Sequence, residues 1–462
     1  MPMDKELITI AEAAELIGVT EGRISQLIGS GRLDAVRQGT RRMVSLASAR
    51  RYRDSPRKPG TRPRGSAAES RTYMLMCADY EVARVSYDPT SGYPLVAQEV
   101  LDVDRMPFGT VTRGAVPRKR EFCEWWEHRS VPDTRPGLAL RMPELGVETS
   151  WEIPLRSLGL SLSDCYWLRP DGREDVTWAA VNYFDNDFVG SDAQDWDRWL
   201  GNVGLDSPDN TSEGELPKRW NIREGRRVLL KGCGIDDQRL FNEVVATALH
   251  RRLLRSGEFV PYELVRLKGG PACLCADFLG PREEYIPAAY VRRSLGTTRG
   301  SSYYDRFCRY AGTLTGDEGG VRVAMAQLIV CDALIANVGR HWRNFGFVRN
   351  IDTLAMRPAP LFDSGNSLWY MKTRPEVEAR DWSFVARPFG PEPDRQLALV
   401  DETSWFDAAA LDGFVDEARN VLSGSEHASA SGRLDYIAQG LTERVRNVTV
   451  AMGVLAYRQS GR

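Results

Sequence analysis

Apolar residues recur at helical spacing close to the start of the chain. In the segment ITIAEAAELI, one helical face carries Ile10, Ala13, Ala14 and Ile17. Thr9 and Glu12 have the spacing of a capping box, in which two side chains satisfy backbone N–H groups at a helix start. The pattern therefore predicts a first helix that Thr9 caps.

The next residues predict a second short helix and then a pair of strands. The tripeptide GVT interrupts the first pattern, and EGRISQLIGSG has a helical pattern that stops at its glycines. Two short helices joined by a tight turn form a helix-turn-helix. The following segment, RLDAVRQGTRRMVSLASARRY, predicts a two-stranded wing that turns at Gln38-Gly39-Thr40, and after it a short basic helix.

In the rest of the chain, some apolar residues recur at the spacing of a helix and others at the alternate spacing of a strand. YMLMCADYEVARVSYD, from Tyr73, predicts a hairpin or a small sheet, whereas residues 89–200 form an accessory region without a chemical motif. RRVLLKG predicts a strand, FNEVVATALHRRLL a helix, and YELVRL and PACLCA two further strands. VRVAMAQLIVCDALIAN is apolar almost all round, which predicts a buried helix, and a closing helix is expected between Leu434 and Met452.

Composition narrows the class of protein. The chain has 462 residues, of which 42% are apolar and 27% charged, so we expect a globular protein of more than one domain. It has no apolar run of about 20 residues and no signal-peptide pattern, which predicts a cytoplasmic protein. Its eight cysteines form no C-x-x-C pair, so neither a zinc site nor a disulfide framework is indicated.

Charge is distributed unevenly along the chain. The whole chain has a net charge of −2, yet eleven Arg or Lys residues lie between Arg32 and Arg64, against only Asp34 and Asp54. Such a split indicates nucleic acid as a partner of the basic part alone. Segment 55–70, SPRKPGTRPRGSAAES, has too few apolar residues to pack a core, which predicts a flexible linker after the basic module.

The candidate chemistry lies between residues 337 and 365. NVGRHWRNFGF contains Asn344, and PLFDSG contains Asp363 after a short apolar run. Protein kinases place a catalytic Asp five residues before a metal-binding Asn, and a metal-binding Asp-x-Gly follows. Gly339 stands where that catalytic Asp is expected. The pattern therefore predicts a phosphoryl-transfer site whose proton acceptor is missing.

Residues before this segment fit the same chemistry. Lys231 lies on a predicted strand and Glu243 on the helix that follows, and in kinases such a pair positions the α- and β-phosphates of the nucleotide. The loop SPDNTSEGELPKRW can cradle phosphates, although taken alone it is a flexible polar loop. The candidates are Thr211, Ser212 and Gly214 in this loop, and Asp277 and Phe278 at a hinge that would face adenine. Asp332 is expected to make an internal hydrogen bond rather than to act as the base.

The first 54 residues resemble the excisionase and MerR-type winged helix-turn-helix modules. The resemblance implies that the second helix enters the major groove of DNA and that the wing contacts phosphates. The implied contact residues are Glu21, Arg23, Ser25 and Gln26 on the helix, and Arg37, Arg41 and Arg42 on the wing. A dimer or tandem half-sites are expected for tight binding, and a protein-docking module is the alternative.

Residues 150–450 resemble the HipA-type serine/threonine kinases, the toxin halves of bacterial toxin–antitoxin systems. The resemblance depends on CDALIANVGRHWRNFGF and PLFDSG together with VLLKG and FNEVVATALHRRL. It implies an α+β, bilobed protein-kinase-like fold, ATP with Mg²⁺, and phosphorylation of a protein serine or threonine, with an aminoacyl-tRNA synthetase or another translation factor as candidate substrate. We expect the N-terminal subdomain and small lobe in residues 71–275 and the helical large lobe in residues 276–462.

The resemblance also implies roles for single residues. Lys231 would hold the α- and β-phosphates, Glu243 would orient that lysine, and Asn344 and Asp363 would bind Mg²⁺. Arg340 accompanies Gly339 and Asn344 as a candidate catalytic residue. The candidate self-phosphorylation sites are Ser207, Thr211 and Ser212.

Gly339 departs from the family pattern, which has Asp at this position. General-base and positioning effects are typically worth ~10²–10⁴ in rate, so we expect this chain to be inactive as a kinase. Either it is a pseudokinase regulator that senses ATP or a partner, or it is an Asp→Gly form of a working kinase. The retained Lys231, Glu243, Asn344 and Asp363 favour the second explanation. A separate antitoxin normally supplies DNA binding to this family, so the fused module suggests autoregulated transcription.

Overall fold

The chain divides into two compact units, Met1–Glu69 and Ser70–Arg462. The computed structural model describes residues 7–17, 24, 28, 33–38, 41–54, 71–88, 91, 93–112, 114–129, 152–188, 208, 216–232, 237–267, 270–295 and 302–460. No helix of these residues is long and apolar enough to cross a membrane.

The first unit pairs a small antiparallel sheet with helices. Its elements are β1 (Leu7–Thr9), α1 (Ile10–Ile17), β2 (Ala35–Gln38), β3 (Arg41–Ser45) and α2 (Leu46–Asp54). The sheet has the order β1-β3-β2. Its buried core consists of Ala13, Ala14, Ile24, Leu33, Val44 and Ala49. Among the described residues, these side chains come from α1, β3 and α2 as well as from positions 24 and 33, so the helices and the sheet share one core.

The predicted capping box is present at the start of α1. Thr9 N donates to Glu12 Oε2 over 2.7 Å, and Glu12 N donates to Thr9 Oγ1 over 3.2 Å. The two strands predicted as a wing are β2 and β3, which pair Gln38 with Arg41. The predicted second helix lies outside the described residues except for Ile24 and Ile28, which are helical. The turn residues 39–40 and the predicted linker at 55–70 also lie outside them.

The second unit begins with a four-stranded antiparallel sheet. Its elements are β4 (Arg71–Cys77), β5 (Tyr80–Tyr87), β6 (Leu95–Val100), α3 (Lys119–Glu127), α4 (Ile153–Arg156), β7 (Tyr166–Pro170) and α5 (Trp178–Val181). The strand order is β6-β5-β4-β7, so the predicted hairpin is confirmed as β4 and β5. The pattern did not predict β7, which comes from the accessory region and pairs with β4. Helix α3 buries Phe122, Trp125 and Trp126.

A second four-stranded sheet and one helix follow. The elements are β8 (Lys218–Arg223), β9 (Arg226–Gly232), α6 (Gln238–Leu253), β10 (Tyr262–Leu267) and β11 (Gly270–Ala276). The strand order is β10-β11-β9-β8, with Lys231 paired to Cys273. All four elements that the sequence predicted here are confirmed. Cys273 and Cys275, at alternate positions of β11, are both buried.

The remainder of the second unit is mainly helical. Its elements are β12 (Glu283–Pro287), α7 (Ala288–Arg293), α8 (Tyr303–Thr315), α9 (Glu318–Leu334), β13 (Gly346–Asn350), β14 (Met356–Pro358), α10 (Arg374–Glu378), α11 (Pro393–Leu397), α12 (Phe414–Leu422), α13 (Glu426–Ser429) and α14 (Arg433–Ser460). The closing helix, α14, therefore extends beyond the predicted end at Met452. Helix α9 is buried as expected, but it ends before Asn337 because Ala336 has a left-handed φ of 51°.

Gly346 is required at the start of β13, the strand that follows the loop with Gly339 and Asn344. A Cβ built on Gly346 would lie 2.1 Å from the carbonyl oxygen of Ile286, a distance that no side chain can occupy. Gly346 pairs with Pro287, where β13 joins β12. The glycine of the NFG tripeptide is therefore required by the close approach of two strands, and this pairing fixes the position of Asn344 two residues earlier.

Candidate active site

Lys231 is the centre of a buried charge cluster between β9, α6 and the segment that follows β14. Its side chain is 2% exposed, and Nζ donates to Glu243 Oε1 over 2.7 Å and to Asp363 Oδ1 over 2.6 Å. Burial alone would lower the pKa of Lys231, but the two carboxylates raise it well above its usual value. The lysine is therefore held as a cation at the place that the sequence predicted for a phosphate-binding group.

Tyr262 completes the surroundings of this lysine. Its hydroxyl oxygen accepts hydrogen bonds from Lys231 Nζ over 3.2 Å and from Asp363 N over 3.3 Å. No motif in the sequence points to Tyr262. The only signal for it was a tyrosine at the start of β10, directly after a proline, which does not reveal that it faces Lys231.

Helix α6 holds the Asp-Ser-Gly segment against the lysine. Glu243 Oε2 accepts from Ser364 N over 2.8 Å, while Oε1 accepts from Lys231. Asn242 Nδ2 donates to the carbonyl oxygens of Gly365 and Ser367 over 2.9 and 2.8 Å. A Cβ on Gly365 would lie 2.8 Å from the carbonyl oxygen of Arg239, so this position is restricted to glycine by the proximity of α6.

The two carboxylates that flank Lys231 have opposite pKa shifts. Burial raises the pKa of Glu243 above its usual value despite the lysine. Burial also acts to raise the pKa of Asp363, but the charges of Lys231 and Lys218 overcome it and hold that pKa well below its usual value. Asp363 is therefore an anion throughout the physiological pH range, as a metal ligand must be.

Arg340 connects the two loops of the site. Its Nη1 donates to the carbonyl oxygens of Asn344 and Phe362, each over 2.6 Å. Its Nε donates to Asp332 Oδ2 over 2.8 Å, and its Nη2 donates to Ser364 Oγ over 3.0 Å. The predicted internal hydrogen bonds of Asp332 are thus confirmed.

The position of Arg340 corrects one part of the sequence analysis. The side chain is 0% exposed, so it cannot touch a substrate in the cleft, and the role predicted for it as a catalytic residue has to be changed. The reason is physical: Asp332 at the end of α9 compensates its charge, and the remaining donors are used by loop carbonyls and a hydroxyl. Arg340 positions the residues on either side of it.

Asn344 and Asp363 together offer a donor set that fits Mg²⁺. Asn344 Nδ2 donates to the carbonyl oxygen of Gly339 over 3.1 Å, and its Oδ1 has no hydrogen bond within the described residues. Asp363 Oδ1 accepts from Lys231, and its Oδ2 is likewise unoccupied by any described donor. Mg²⁺ prefers oxygen ligands and is commonly bound by one or two carboxylates together with substrate phosphates. Within the described residues, no cluster of three His, Cys, Asp or Glu side chains suggests a different metal site.

Asp277 and Phe278, the residues predicted as a hinge, lie between β11 and β12. Phe278 stacks on Phe362 with ring centroids 5.5 Å apart, which links the hinge to the residue before Asp363. Asp277 N donates to the carbonyl oxygen of Arg227 over 2.9 Å, so its N–H is already used within the sheet. Burial raises the pKa of the Asp277 carboxyl to about 8. Burial thus favours the neutral form of this carboxyl, and its Oδ1 accepts from Leu279 N.

Gly339 lies in a loop whose backbone groups are largely engaged. Its N–H donates to Asn337 Oδ1 over 2.8 Å, and its carbonyl oxygen accepts from Asn344 Nδ2. A Cβ built on Gly339 would lie 2.7 Å from Asn366 Cβ and 3.0 Å from Asn366 Nδ2. A side chain at position 339 is therefore excluded unless Asn366 or the loop shifts. His341, in the same loop, is exposed and accepts from Arg343 N over 3.2 Å.

One cleft brings most of the predicted residues together. The cavity has a volume of about 1190 Å³, and its walls include Lys231, Glu243, Asp277, Phe278, Gly339, Asn344 and Asp363. Asn366, to which no motif in the sequence points, also lines it. The loop candidates Ser207, Thr211, Ser212 and Gly214 lie outside the described residues.

The candidate DNA-contact residues belong to the first unit and are described only in part. Arg37 lies on β2, and Arg41 and Arg42 lie on β3, where Arg37 pairs with Arg42. Their side chains lie outside the described part of the chain, as do Glu21, Arg23, Ser25 and Gln26 altogether. The contacts proposed for these residues remain predictions.

Comparison with solved structures identifies the fold. A chain of the Shewanella oneidensis MR-1 toxin–antitoxin complex of HipA, HipB and operator DNA aligns with a TM-score of 0.53 and 14% identity, over 84% of this chain and 99% of that one. The Helicobacter pylori proinflammatory kinase CtkA aligns with a TM-score of 0.39 and 16% identity, over 53% of this chain and 93% of that one. Hydra Fam20 aligns with a TM-score of 0.27 and 13% identity, over 54% and 84% of the two chains.

Of these comparisons, the one with the Shewanella chain shows a shared fold, and it does not show a shared activity, substrate or partner. No family model matches the chain, and no curated protein matches its sequence. The likeness to the Shewanella chain, at 14% identity, confirms the predicted α+β, kinase-like fold of the HipA type. The Helicobacter and Hydra chains align with TM-scores below 0.5, too low to show a shared fold.

Proposed function

We propose that the second unit binds ATP with Mg²⁺ in the cleft and transfers its γ-phosphoryl group to a protein serine or threonine. The observation that carries this proposal is the contact of Lys231 with both Glu243 and Asp363, within 2.7 Å of each. Kinases use a lysine on a strand and a glutamate on a helix to position nucleotide phosphates, and an Asp-x-Gly aspartate to hold the metal. Lys231 and Glu243, from adjacent elements, and Asp363, from a distant part of this chain, occur in that arrangement.

Each cleft residue has a role in the proposed reaction. Lys231 binds the α- and β-phosphates and Glu243 keeps its ammonium in place, while Asn344 and Asp363 hold Mg²⁺ through the oxygens described above. When bound, the metal neutralises the charge that develops on the phosphates. The hinge at Asp277 and Phe278 is proposed to present backbone groups other than the Asp277 N–H, which the sheet uses, to the adenine edge. The loop with Thr211, Ser212 and Gly214 is proposed to cover the phosphates.

Gly339 limits the rate of this reaction. Without a carboxylate at this position the loop lacks the proton acceptor that kinases have there, which lowers the rate by about 10²–10⁴ relative to a kinase that has one. The acceptor is proposed to be a translation-related protein such as an aminoacyl-tRNA synthetase. Ser207, Thr211 and Ser212 are proposed as sites of self-phosphorylation.

The first unit is proposed to bind operator DNA and to regulate transcription of its own gene. The strands β2 and β3 carry Arg37, Arg41 and Arg42 in a paired ribbon, and the segment is strongly basic in sequence. The Shewanella structure contains operator DNA together with HipA and HipB. A substitution of all three arginines by alanine should weaken DNA binding and reduce the salt slope of log K by up to ~3, about one unit for each lost phosphate contact.

Calorimetry with ATP and Mg²⁺ tests the nucleotide site. The informative variant is Asp363→Asn, because Asp363 has a φ of 56° and asparagine tolerates this left-handed conformation better than alanine. We expect binding by the unchanged chain, and a loss of the Mg²⁺-dependent part in the variant. An exposed aspartate in a helix, Asp416→Asn, is the matched control and should bind as the unchanged chain does. Absence of binding by the unchanged chain would exclude the proposed site.

A second function is favoured by the contact between Gly339 and Asn366. Because Asn366 Cβ lies 2.7 Å from the place of a Cβ on residue 339, the loop is packed around the glycine. Such packing is consistent with a regulator that binds ATP or a partner without phosphoryl transfer. Label transfer from γ-labelled ATP distinguishes the two functions, since the regulator binds the nucleotide and transfers nothing.

A further inference from the structure

Asn366 occupies the space beside Gly339 on the cleft wall. Its Cβ lies 2.7 Å and its Nδ2 3.0 Å from the point that a Cβ of residue 339 would occupy. The backbone carbonyl oxygen of Asn366 accepts from Val338 N over 2.9 Å, which fixes this residue against the loop. Asn366 is therefore held in close contact with the place that the Cβ of an aspartate at position 339 would occupy.

The side-chain amide of Asn366 is available to a substrate. It is half-buried, lines the cleft, and makes no hydrogen bond to any described residue. By contrast, Asn337 and Asn344 use their amides within the loop: Asn337 Oδ1 accepts from Gly339 N, and Asn344 Nδ2 donates to the carbonyl oxygen of Gly339. Asn366 thus differs from both neighbours in offering a donor and an acceptor toward the cleft.

We infer that Asn366 takes over the substrate-orienting part of the role that an aspartate at position 339 would have, by binding the acceptor hydroxyl through its amide oxygen. This inference rests on the proposed function, since it needs ATP in the same cleft. An amide cannot accept the proton, but phosphoryl transfer proceeds through a loose transition state in which positioning contributes most of the catalysis. A slow transfer reaction is therefore retained in a chain that has Gly339.

The reaction balances without a protein base. The acceptor oxygen forms a bond to the γ-phosphorus as the bond from that phosphorus to the bridging oxygen of ADP breaks. The bonding pair leaves with ADP, and the hydroxyl proton passes to an oxygen of the transferred phosphoryl group. The products are ADP and the singly protonated phosphate ester of the acceptor.

The test compares Asn366→Ala, which keeps Cβ, with Asn366→Asp, which has nearly the same shape. The measurements on the full chain are ADP formation and label incorporation from γ-labelled ATP with Mg²⁺. We expect Asn366→Ala to lower kcat by about 10-fold or more, with the KM for ATP within about twofold, because an orienting contact acts on the acceptor. We expect Asn366→Asp to restore or exceed the original kcat and to make it rise with pH as the new carboxyl ionises.

Matched substitutions at an exposed asparagine of α12, Asn420→Ala and Asn420→Asp, should leave both constants unchanged. An unchanged kcat in Asn366→Ala would overturn the inference, as would an equal loss in the alanine and aspartate variants, which indicates a structural role. If calorimetry shows binding of ATP with Mg²⁺ but no ADP forms, the role of Asn366 is excluded while the nucleotide site stands. If no ATP binds, the proposed function fails as well.

Discussion

Lys231 and Asp363 form a direct ion pair, with Nζ 2.6 Å from Oδ1. Asp363 therefore has to divide its charge between this lysine and a metal ion. When nucleotide phosphates bind Lys231, they give this lysine another anion. Asp363 is then free to bind the metal ion. The two ligands of the proposed site are thus coupled through a single side chain.

This coupling predicts that ATP and Mg²⁺ bind cooperatively. Mg²⁺ alone should bind at least ~10-fold more weakly than it does in the presence of ATP, which corresponds to a coupling free energy of about 1.4 kcal/mol or more. Calorimetric titration with Mg²⁺, with and without a saturating non-hydrolysable ATP analogue, measures the difference. The analogue binds Mg²⁺ itself, so the same titration without protein is the control. Equal affinity under both conditions would contradict the coupling.

Removal of the Lys231 charge should destabilise the second unit. Lys231→Met leaves Glu243 buried without its cation, and breaking a buried pair typically costs about 3–5 kcal/mol. Urea unfolding measures the loss. Arg374→Met removes a helical ion pair to Glu378 whose side chains are 76% and 62% exposed, and it should change the unfolding free energy by less than about 0.5 kcal/mol. Similar losses of unfolding free energy in both variants would show that the buried ion pair stabilises the fold no more than the exposed one.

Two glycine substitutions of the same kind should have opposite effects. Gly365→Ala places a Cβ 2.8 Å from the carbonyl oxygen of Arg239, which should cost about 1–3 kcal/mol and weaken ATP binding as α6 shifts. Gly453 lies within α14 with no atom within 4 Å of a new Cβ, so Gly453→Ala should stabilise the helix by about 0.5–1 kcal/mol. Thermal unfolding of both variants gives the comparison. A tolerated Gly365→Ala would mean that α6 is not held close to this segment.

His250 should make the second unit less stable at acidic pH. Burial is the main reason that the pKa of His250 is lowered from 6.5 to about 3, so the folded chain keeps the imidazole neutral between these values while the unfolded chain protonates it. The contribution of His250 to the free energy of unfolding is complete above pH 6.5, and it is lost progressively as the pH falls toward 3. Denaturant unfolding between pH 4 and pH 7.5 should show a smaller slope with pH for His250→Leu. An unchanged slope would exclude the histidine as the source.

Restoring an aspartate at position 339 should require a second change. In Gly339→Asp the new Cβ meets Asn366 Cβ at 2.7 Å, so the single variant should gain little activity and lose stability. Gly339→Asp with Asn366→Gly removes that contact and should raise the rate of label transfer by about 10²-fold or more over the unchanged chain. Asn366→Gly alone is the control and should be slower than the unchanged chain. An inactive double variant would favour the regulator over the kinase.

The sequence predicted those parts of the site whose order along the chain is diagnostic. Lys231, Glu243, Asn344 and Asp363 were found because their residue types follow one another in predicted strands, helices and loops. Tyr262 and Asn366 were missed because their importance depends on what lies beside them in space, and no spacing rule relates Tyr262 to Lys231 or Asn366 to Gly339. Arg340 was recognised as part of the motif, but its burial, and hence its role, depends on Asp332 eight residues earlier.

The prediction of the fold was limited in a similar way. Local patterns predicted the strands with Lys231 and the helix with Glu243, since their apolar spacing is regular. Strand β7 was not predicted, because it pairs with β4 across about ninety residues of chain and has a short, irregular pattern. The end of α9 was placed too late, because the apolar run continues through Ile335 and Ala336 after the backbone has left the helix.

The guanidinium of Arg340 has a consequence for the energetics of ion binding. Because one nitrogen holds the carbonyl oxygens of Asn344 and Phe362, the separation of the two proposed metal ligands is set when the chain folds. The conformational entropy of both loops is lost at that stage and not when the ion arrives, so preorganisation favours the affinity. A chain without this arginine would have to order its loops around each incoming ion, and its metal site would become one of induced fit.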